Sequence, residues 1–532
     1  MTDRDLFARI ALDQIPKLLT LLDRNPHSPT YGCFDRTFWQ YKVIDFPAGM
    51  SQEFVYPLAL AYDCSLPDNI YYQQPMIKQW VQAGIEYAAQ SSYPNGSCDD
   101  YFPYERAAGA AAFSLLACLE STILLDLKHS QTVLDFFSTR ADWLANNQES
   151  GRLTNHQALI VLCLELAGRL LSTDRWDQSQ QERLEQVFVW QNPEGWFIEY
   201  EGCDPGYHTL TISCLARLNE LQPNEKLKSA IASAVKLAAE FVHPDGSYGG
   251  EYTSRNTYNF FPHGFELAGK WLPNALNIND RFLQGLAKGL GSCYADDRII
   301  GHHTWNYLLA WRDFVTPRPP LQPRTQGRIH LQQGGILIDR RGTTELYLAL
   351  NKGGVFKLFR DNRLVASDTH FSVLMQQGNK TRNAVGHLVD DYHLSLDSER
   401  ITISGKLGWA KQKQMNPQNL IILRLVMLTV GRWFPNLIRR LLQKILIVGK
   451  TDTPFRFSRC LTWQDGHWQI EDCLTAKSWR DVTAIDIGGD RTSIYVVMSR
   501  TFQAGQLQAP WDLSDHLKTI QAGEPLYLTR NL

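Results

Sequence analysis

The sequence predicts an α+β multidomain protein. It reads as an N-terminal (α/α) incomplete toroid over residues 1–315, a linker at 316–326, and an antiparallel β-sandwich over 327–532 with an amphipathic helical insertion at 419–450. Three observations carry this. Turn-forming clusters recur about every 50 residues through the first part of the chain. The segments between them have helical apolar spacing. After Phe314 the texture changes to prolines and then to alternating, β-branched runs.

The turn clusters are Pro94-Asn95-Gly96-Ser97, Asn147 to Gly151, Pro193-Glu194-Gly195-Trp196, Pro244-Asp245-Gly246-Ser247 and Asp296-Asp297, each read as closing one helical hairpin. Between them, Ala107 to Leu119 is an Ala/Leu-rich run without proline. Gln157 to Leu171 places Leu159, Leu162, Leu166 and Leu170 on one helical face, and Leu227 to Phe241 does the same. Such hairpins can stack into an open solenoid or curl into a ring around a cleft. The loops favour the ring, because they carry Tyr101, Tyr104, Glu105, Arg106, Trp196, Tyr207, Tyr248, Tyr252, Arg255 and Asn256, more aromatic and hydrogen-bonding groups than connectors need. Aromatics with charged neighbours suit a sugar polymer, although any one of them also fits a core-capping role.

Thr316 to Thr325 holds four prolines and reads as the linker. Strands are predicted at Gly335 to Asp339, Glu345 to Leu350, Thr402 to Lys406, Val482 to Ile487 and Thr492 to Met498. Leu420 to Lys450 interrupts them with Arg424, Arg432, Arg439, Arg440, Lys444 and Lys450 and no acidic residue, while Leu437, Leu441 and Ile445 recur four apart. Gly431 and Pro435 break it too often for a span, which needs about 20 mostly apolar residues. Peripheral contact with a membrane or a protein partner fits, as does packing of its apolar face on the β domain.

With 20% charged residues and a net charge of −2, composition points away from nucleic acid as a partner and allows large cores. Met1 to Gln14 has no continuous apolar run, so the expected location is cytoplasmic, with the inner membrane face as the place of any peripheral contact. The ten cysteines form no C-x-x-C pair and read as reduced structural thiols. His302-His303 resembles half a metal site without carboxylate or thiolate partners, so neither metal nor cofactor is expected.

Asn155-His156 follows the Gly151 loop, and Tyr207-His208 falls in the equivalent place about 50 residues on. The set Leu153-Thr154-Asn155-His156-Gln157, Asp204-Pro205-Gly206-Tyr207-His208 and Ser367-Asp368-Thr369-His370-Phe371 resembles the heparinase II/III-like polysaccharide lyases, in which a helical toroid precedes a β-sandwich. Gly32-Cys33-Phe34-Asp35-Arg36, Phe38 to Lys42 and Asp99 to Arg106 look like an uncharacterised bacterial branch of that family associated with exopolysaccharide.

The resemblance implies β-elimination on a uronic-acid polymer. One group neutralises the substrate carboxylate, a base removes the adjacent proton, and an acid protonates the leaving oxygen. It assigns the carboxylate to Asn155, the base to His156 or Tyr207, the acid to Tyr207 and a supporting role to His370. Tyr104, Arg106, Trp196, His208, Tyr252, Arg255 and Asn256 are the expected substrate contacts, and an acidic polysaccharide or oligosaccharide is the partner. A free tyrosine has a pKa near 10, so a basic Tyr207 needs positive charge beside it, from Arg106, Arg255, His208 or His370. Uronate epimerisation would use the same proton abstraction, and a glycan-binding or membrane-associated assembly protein would dispense with it. Asn155 also fits a helix N-cap, typically worth about 1 kcal/mol.

Overall fold

A computed structural model describes residues 3–149, 151–293, 298–410, 415–438, 441, 452–488, 498–499, 501–518, 520 and 523–532. The predicted turn at Asp296-Asp297 lies outside these residues, as do Arg439, Arg440, Lys444 and Lys450 of the insertion and nearly all of the predicted strand Thr492 to Met498.

Helices fill the chain as far as Arg312. Six of them, Val55–Asp63, Ala108–Leu125, Thr154–Leu171, Pro205–Leu221, His263–Gly269 and Ile300–Arg312, pack each on the next, and the last packs back on the first. They are buried nearly all round, which is why Ala108–Leu125 reads AGAAAFSLLACLESTILL. It is long and apolar enough to cross a membrane but is an interior ring helix. Outside them lie helices with one apolar face. Glu225–Ala238 buries Leu227, Ala230, Ile231, Ala234 and Val235 and turns Lys228 and Ser229 outward. This is a helical toroid.

The repeated turns explain the period. In three of them the residue before proline accepts from glycine and donates four residues on: Gly96 N to Tyr93 O (2.8 Å) with Tyr93 N to Ser97 O (2.9 Å), Gly195 N to Asn192 O (2.8 Å) with Asn192 N to Trp196 O (2.7 Å), and Gly246 N to His243 O (3.0 Å) with His243 N to Ser247 O (2.8 Å). Each glycine has positive φ, and a β-carbon there would press on the backbone of an outer helix, at Arg140, Ser233 and Gly285 respectively.

Beyond the linker, strands Gly327–Leu331, Ile336–Arg341, Thr344–Ala349, Val355–Arg360 and Arg363–Asp368 form an antiparallel meander. A second antiparallel sheet runs in the order Trp511–Asp512, Val482–Ile487, Phe371–Gln377, Lys380–Val385, Arg400–Trp409, Asp452–Gln464, His467–Ala476 and Leu526–Asn531, with His393–Leu396 beside Arg400–Trp409. The period of two along the meander divides its side chains between two cores. Ile336, Ile338, Tyr347, Ala349, Val355 and Phe359 join the core of the helical part, whereas Leu337, Leu346, Leu348, Phe356 and Leu358 face the second sheet. Arg459 is buried in that sandwich, bonded to Asp368, to Asp472 and to the Gly354 carbonyl. All ten cysteines are free, and Cys293 alone among them is exposed.

Candidate active site

The loops that lead into the inner helices gather at one rim. Strands Ile198–Glu199 and Gly202–Cys203 form a hairpin whose two turn residues, Tyr200 and Glu201, both have positive φ. That is the type I′ arrangement, normally the place of Asn-Gly, and non-glycine residues there are strained. The tip is held from the approach to the next helix: Tyr200 N donates to Arg152 O (3.1 Å), and the Arg152 guanidinium pairs with Glu201.

Asn155 lies inside helix Thr154–Leu171, whose N-cap position is Leu153, so the capping role does not apply. Its Nδ2 donates to Glu199 Oε2 (2.8 Å), its backbone N–H donates to Glu199 Oε1 (2.6 Å), and its Oδ1 is buried without a partner. Glu199 is fully enclosed, and burial raises its carboxyl well above the usual range. His156, half-buried, has Nδ1 2.5 Å from Glu149 Oε2, which orients the imidazole with Nε2 as its free nitrogen.

Asp204 caps helix Pro205–Leu221, with Oδ1 accepting from Gly206 N (3.1 Å) and Tyr207 N (3.3 Å). Its Oδ2 accepts from Arg255 N (3.2 Å) and Thr253 Oγ1 (3.3 Å), so one carboxylate fixes the helix start that carries Tyr207 and the loop that carries Arg255. Tyr207 packs on Tyr200 at 5.9 Å between ring centroids. Burial first, then Tyr200, Asp204 and Glu199, push its phenol well above the usual tyrosine range. The Arg255 guanidinium lies 5.4 Å from the Tyr200 ring centre and bonds the Tyr200 carbonyl, leaving Nε buried and unpartnered. Asn155, Tyr207 and Arg255 therefore meet around the Glu199-Tyr200 hairpin. Tyr101 continues this wall with Arg298 5.1 Å from its ring centre, and Arg298 bonds Asp100, whose carboxyl burial raises to about 7.

Other expected contacts are placed elsewhere. His208 follows Tyr207 on a helix, where successive side chains diverge by about 100°. It turns to the Ala234 carbonyl (2.9 Å), and burial lowers its pKa to about 4. Trp196 donates to Glu194 (2.9 Å), which accepts from the backbone N–H of Gln333 and Gly334, a strut between the two halves. Tyr252 packs on Tyr347 and meets His243 Nε2 at 3.1 Å. Asn256 Oδ1 accepts from Lys352 (2.5 Å). Tyr104 and Arg106 have positive φ and donate their backbone N–H groups to Asp99, with the Tyr104 ring stacked on Tyr93 and Arg106 Nε buried without a partner. His370 is enclosed in the β part against Phe457, with Nδ1 accepting from Phe371 N (2.8 Å) and Nε2 unpartnered. His302 Nδ1 meets the buried Glu53 carboxylate at 2.9 Å inside the ring. Among the described residues, no three His, Cys, Asp or Glu side chains group as metal ligands.

Glu199 and Tyr200 were not anticipated from the sequence, nor were the supporting roles of Glu149 and Lys352, while Asp204 stood in the motif as an unread N-cap before Pro205. The hairpin strands are two residues long and the turn lacks Asn or Gly, so no local signal marks them.

No protein-family model matches the sequence, and no curated protein matches it. Solved structures do match in shape. A Paenibacillus xanthan lyase superposes with a TM-score of 0.53 at 10% identity over 91% of this chain, and a Streptomyces coelicolor A3 chondroitin AC lyase in complex with chondroitin sulphate superposes with 0.55 at 11% over 92%. The fold is that of these polysaccharide lyases. The chain spans 46% of the length of the xanthan lyase and 68% of that of the chondroitin lyase.

Proposed function

We propose that the chain cleaves a uronic-acid-containing polysaccharide by β-elimination, on the pattern of the heparinase II/III-like lyases that its motifs resemble. The convergence of Asn155, Tyr207 and Arg255 at one rim of the toroid carries this reading. Arg255 and the Asn155 amide meet the substrate carboxylate and stabilise the enolate-like charge that develops as the adjacent carbon loses its proton. Tyr207, whose environment keeps the phenol protonated, supplies the proton to the departing sugar oxygen. The resemblance gives the base to His156 or Tyr207; His156 is oriented by Glu149, with its ring against Gly109 and Phe113 of the neighbouring inner helix. His370 acts only through the packing of the β part.

The test is to incubate the protein and its Tyr207→Phe variant with alginate, heparan-type and other uronate polymers, following ultraviolet absorbance of the unsaturated product. Growth with the parent, and a loss on the order of 100-fold in the variant, is the expected result. Silence across the panel with glycan binding intact would refute elimination and leave epimerisation or simple binding.

A further inference from the structure

Between strands Arg400–Trp409 and Asp452–Gln464 the chain leaves the sandwich, and its helix Pro417–Val426 buries no residue. Ile421, Leu425, Val430, Trp433, Phe434 and Leu437 are each more than half exposed, Trp433 at 68%. Single exposed apolar residues are ordinary, but a contiguous series of this size marks an interaction surface. The segment is fastened at three points. Arg424 pairs with Asp45 (2.5 Å), Met427 is fully buried, and Asn436 Nδ2 donates to the Gln148 carbonyl (3.4 Å). Two of these fastenings lie on loops of the helical half, and Gln148 adjoins Glu149, the partner of His156.

Charge identifies what covers the surface. From residue 411 to 450 the sequence has eight Lys or Arg and no Asp or Glu, of which Arg424 and Arg432 lie among the described residues. A second copy of this surface would meet it with the same sign, whereas an anionic bilayer offers hydrocarbon for the Leu, Ile, Trp and Phe side chains and phosphate for the cations. The helical run Pro417–Gly431, 10 residues of α-helix continued by 5 of π-helix, is shorter than the about 20 a span requires, which suits a helix lying in the interface plane. We propose that this segment docks the protein on an anionic lipid surface, which holds the rim carrying His156 close to the membrane.

The full-length protein would be floated with vesicles of phosphatidylcholine alone and of phosphatidylcholine with roughly 30% phosphatidylglycerol, which supplies the negative surface potential. Binding to the second at least ten-fold above the first, weakened by salt, is expected. Trp433→Glu with Phe434→Glu should abolish it. Both side chains are exposed, so folding is kept, and turnover of soluble glycan by this variant separates the docking proposal from the catalytic reading. Equal binding to both vesicles, or retention of binding by the double variant, would overturn the proposal. So would a lipid-independent dimer that the double variant loses.

Discussion

Lys352 allows a quantitative test of how the two halves are coupled. Its ammonium is fully buried and donates to the Glu251 carbonyl (2.5 Å), the Thr253 carbonyl (2.8 Å) and Asn256 Oδ1 (2.5 Å), on either side of Arg255. Three acceptors suit three N–H donors, but desolvation opposes the charge, helped by Arg255 and countered by Glu251 and Asp204, and the pKa falls from 10.5 to about 7. His387 also adjoins it. A depressed lysine pKa means that the unfolded chain binds more protons than the folded chain between about pH 7 and 10.5, so stability rises with pH in that window. Between pH 7 and 9 the gain from this residue is about 2 kcal/mol, reached at up to 1.36 kcal/mol per pH unit. Lys352→Met removes the titration together with the three hydrogen bonds. Denaturant unfolding of both proteins from pH 6 to 9 gives the stability gap between them, in which other titrations cancel. The gap should move by about 2 kcal/mol in favour of the parent from pH 7 to 9. A gap constant to within about 0.5 kcal/mol would show that Lys352 keeps an ordinary pKa and that the burial argument fails.

Arg459→Met leaves the buried Asp368 and Asp472 with Arg530 as their one remaining shared cation (2.7 and 2.9 Å) and should cost about 3 kcal/mol in denaturant unfolding. Gly246→Ala sets a β-carbon 2.4 Å from Gly285 N at φ +93, so a lower thermal midpoint is expected, with a loss of at least about 1 kcal/mol. Asp204→Ala removes the cap of Pro205–Leu221 and the anchor of Arg255 together. It should lower stability by about 2 kcal/mol and, on the proposed reaction, reduce kcat more than a surface substitution of equal stability cost. His208→Gln keeps a donor for the Ala234 carbonyl and points away from Tyr207. Turnover close to that of the parent is expected, and a loss as large as that of Tyr207→Phe would place His208 in the reaction.

The helical half was legible because its signals are local and repeated. Pro-x-Gly turns and apolar helix faces report backbone geometry within a few residues, and Gln157 to Leu171 differs from Thr154–Leu171 only at its start. The β half was read in part. Val482–Ile487 stands where alternation predicted it, but Arg363–Asp368 and Asp452–Gln464 mix charged residues on both faces because Arg459, Asp368 and Asp472 are paired inside. The Asp465-Gly466 turn joining Gln464 to His467 was a readable hairpin signal that passed unused. At the site, Asn155 and Tyr207 stood out as motif residues. Glu199 reaches Asn155 from 44 residues away, a pairing that only the assembled ring creates.

The meander from Gly327 to Asp368 serves as a wall common to two cores, and this has a practical outcome for anyone who would divide the chain. A cut in the proline-rich stretch would strip Ile336, Ile338, Tyr347 and Phe359 from the helical part and bare its apolar underside. Neither fragment would stay in solution as a tidy half. Insertions, deletions and fusions are better tolerated elsewhere, and homologues that exchange one half for another must carry this sheet with the helices it covers.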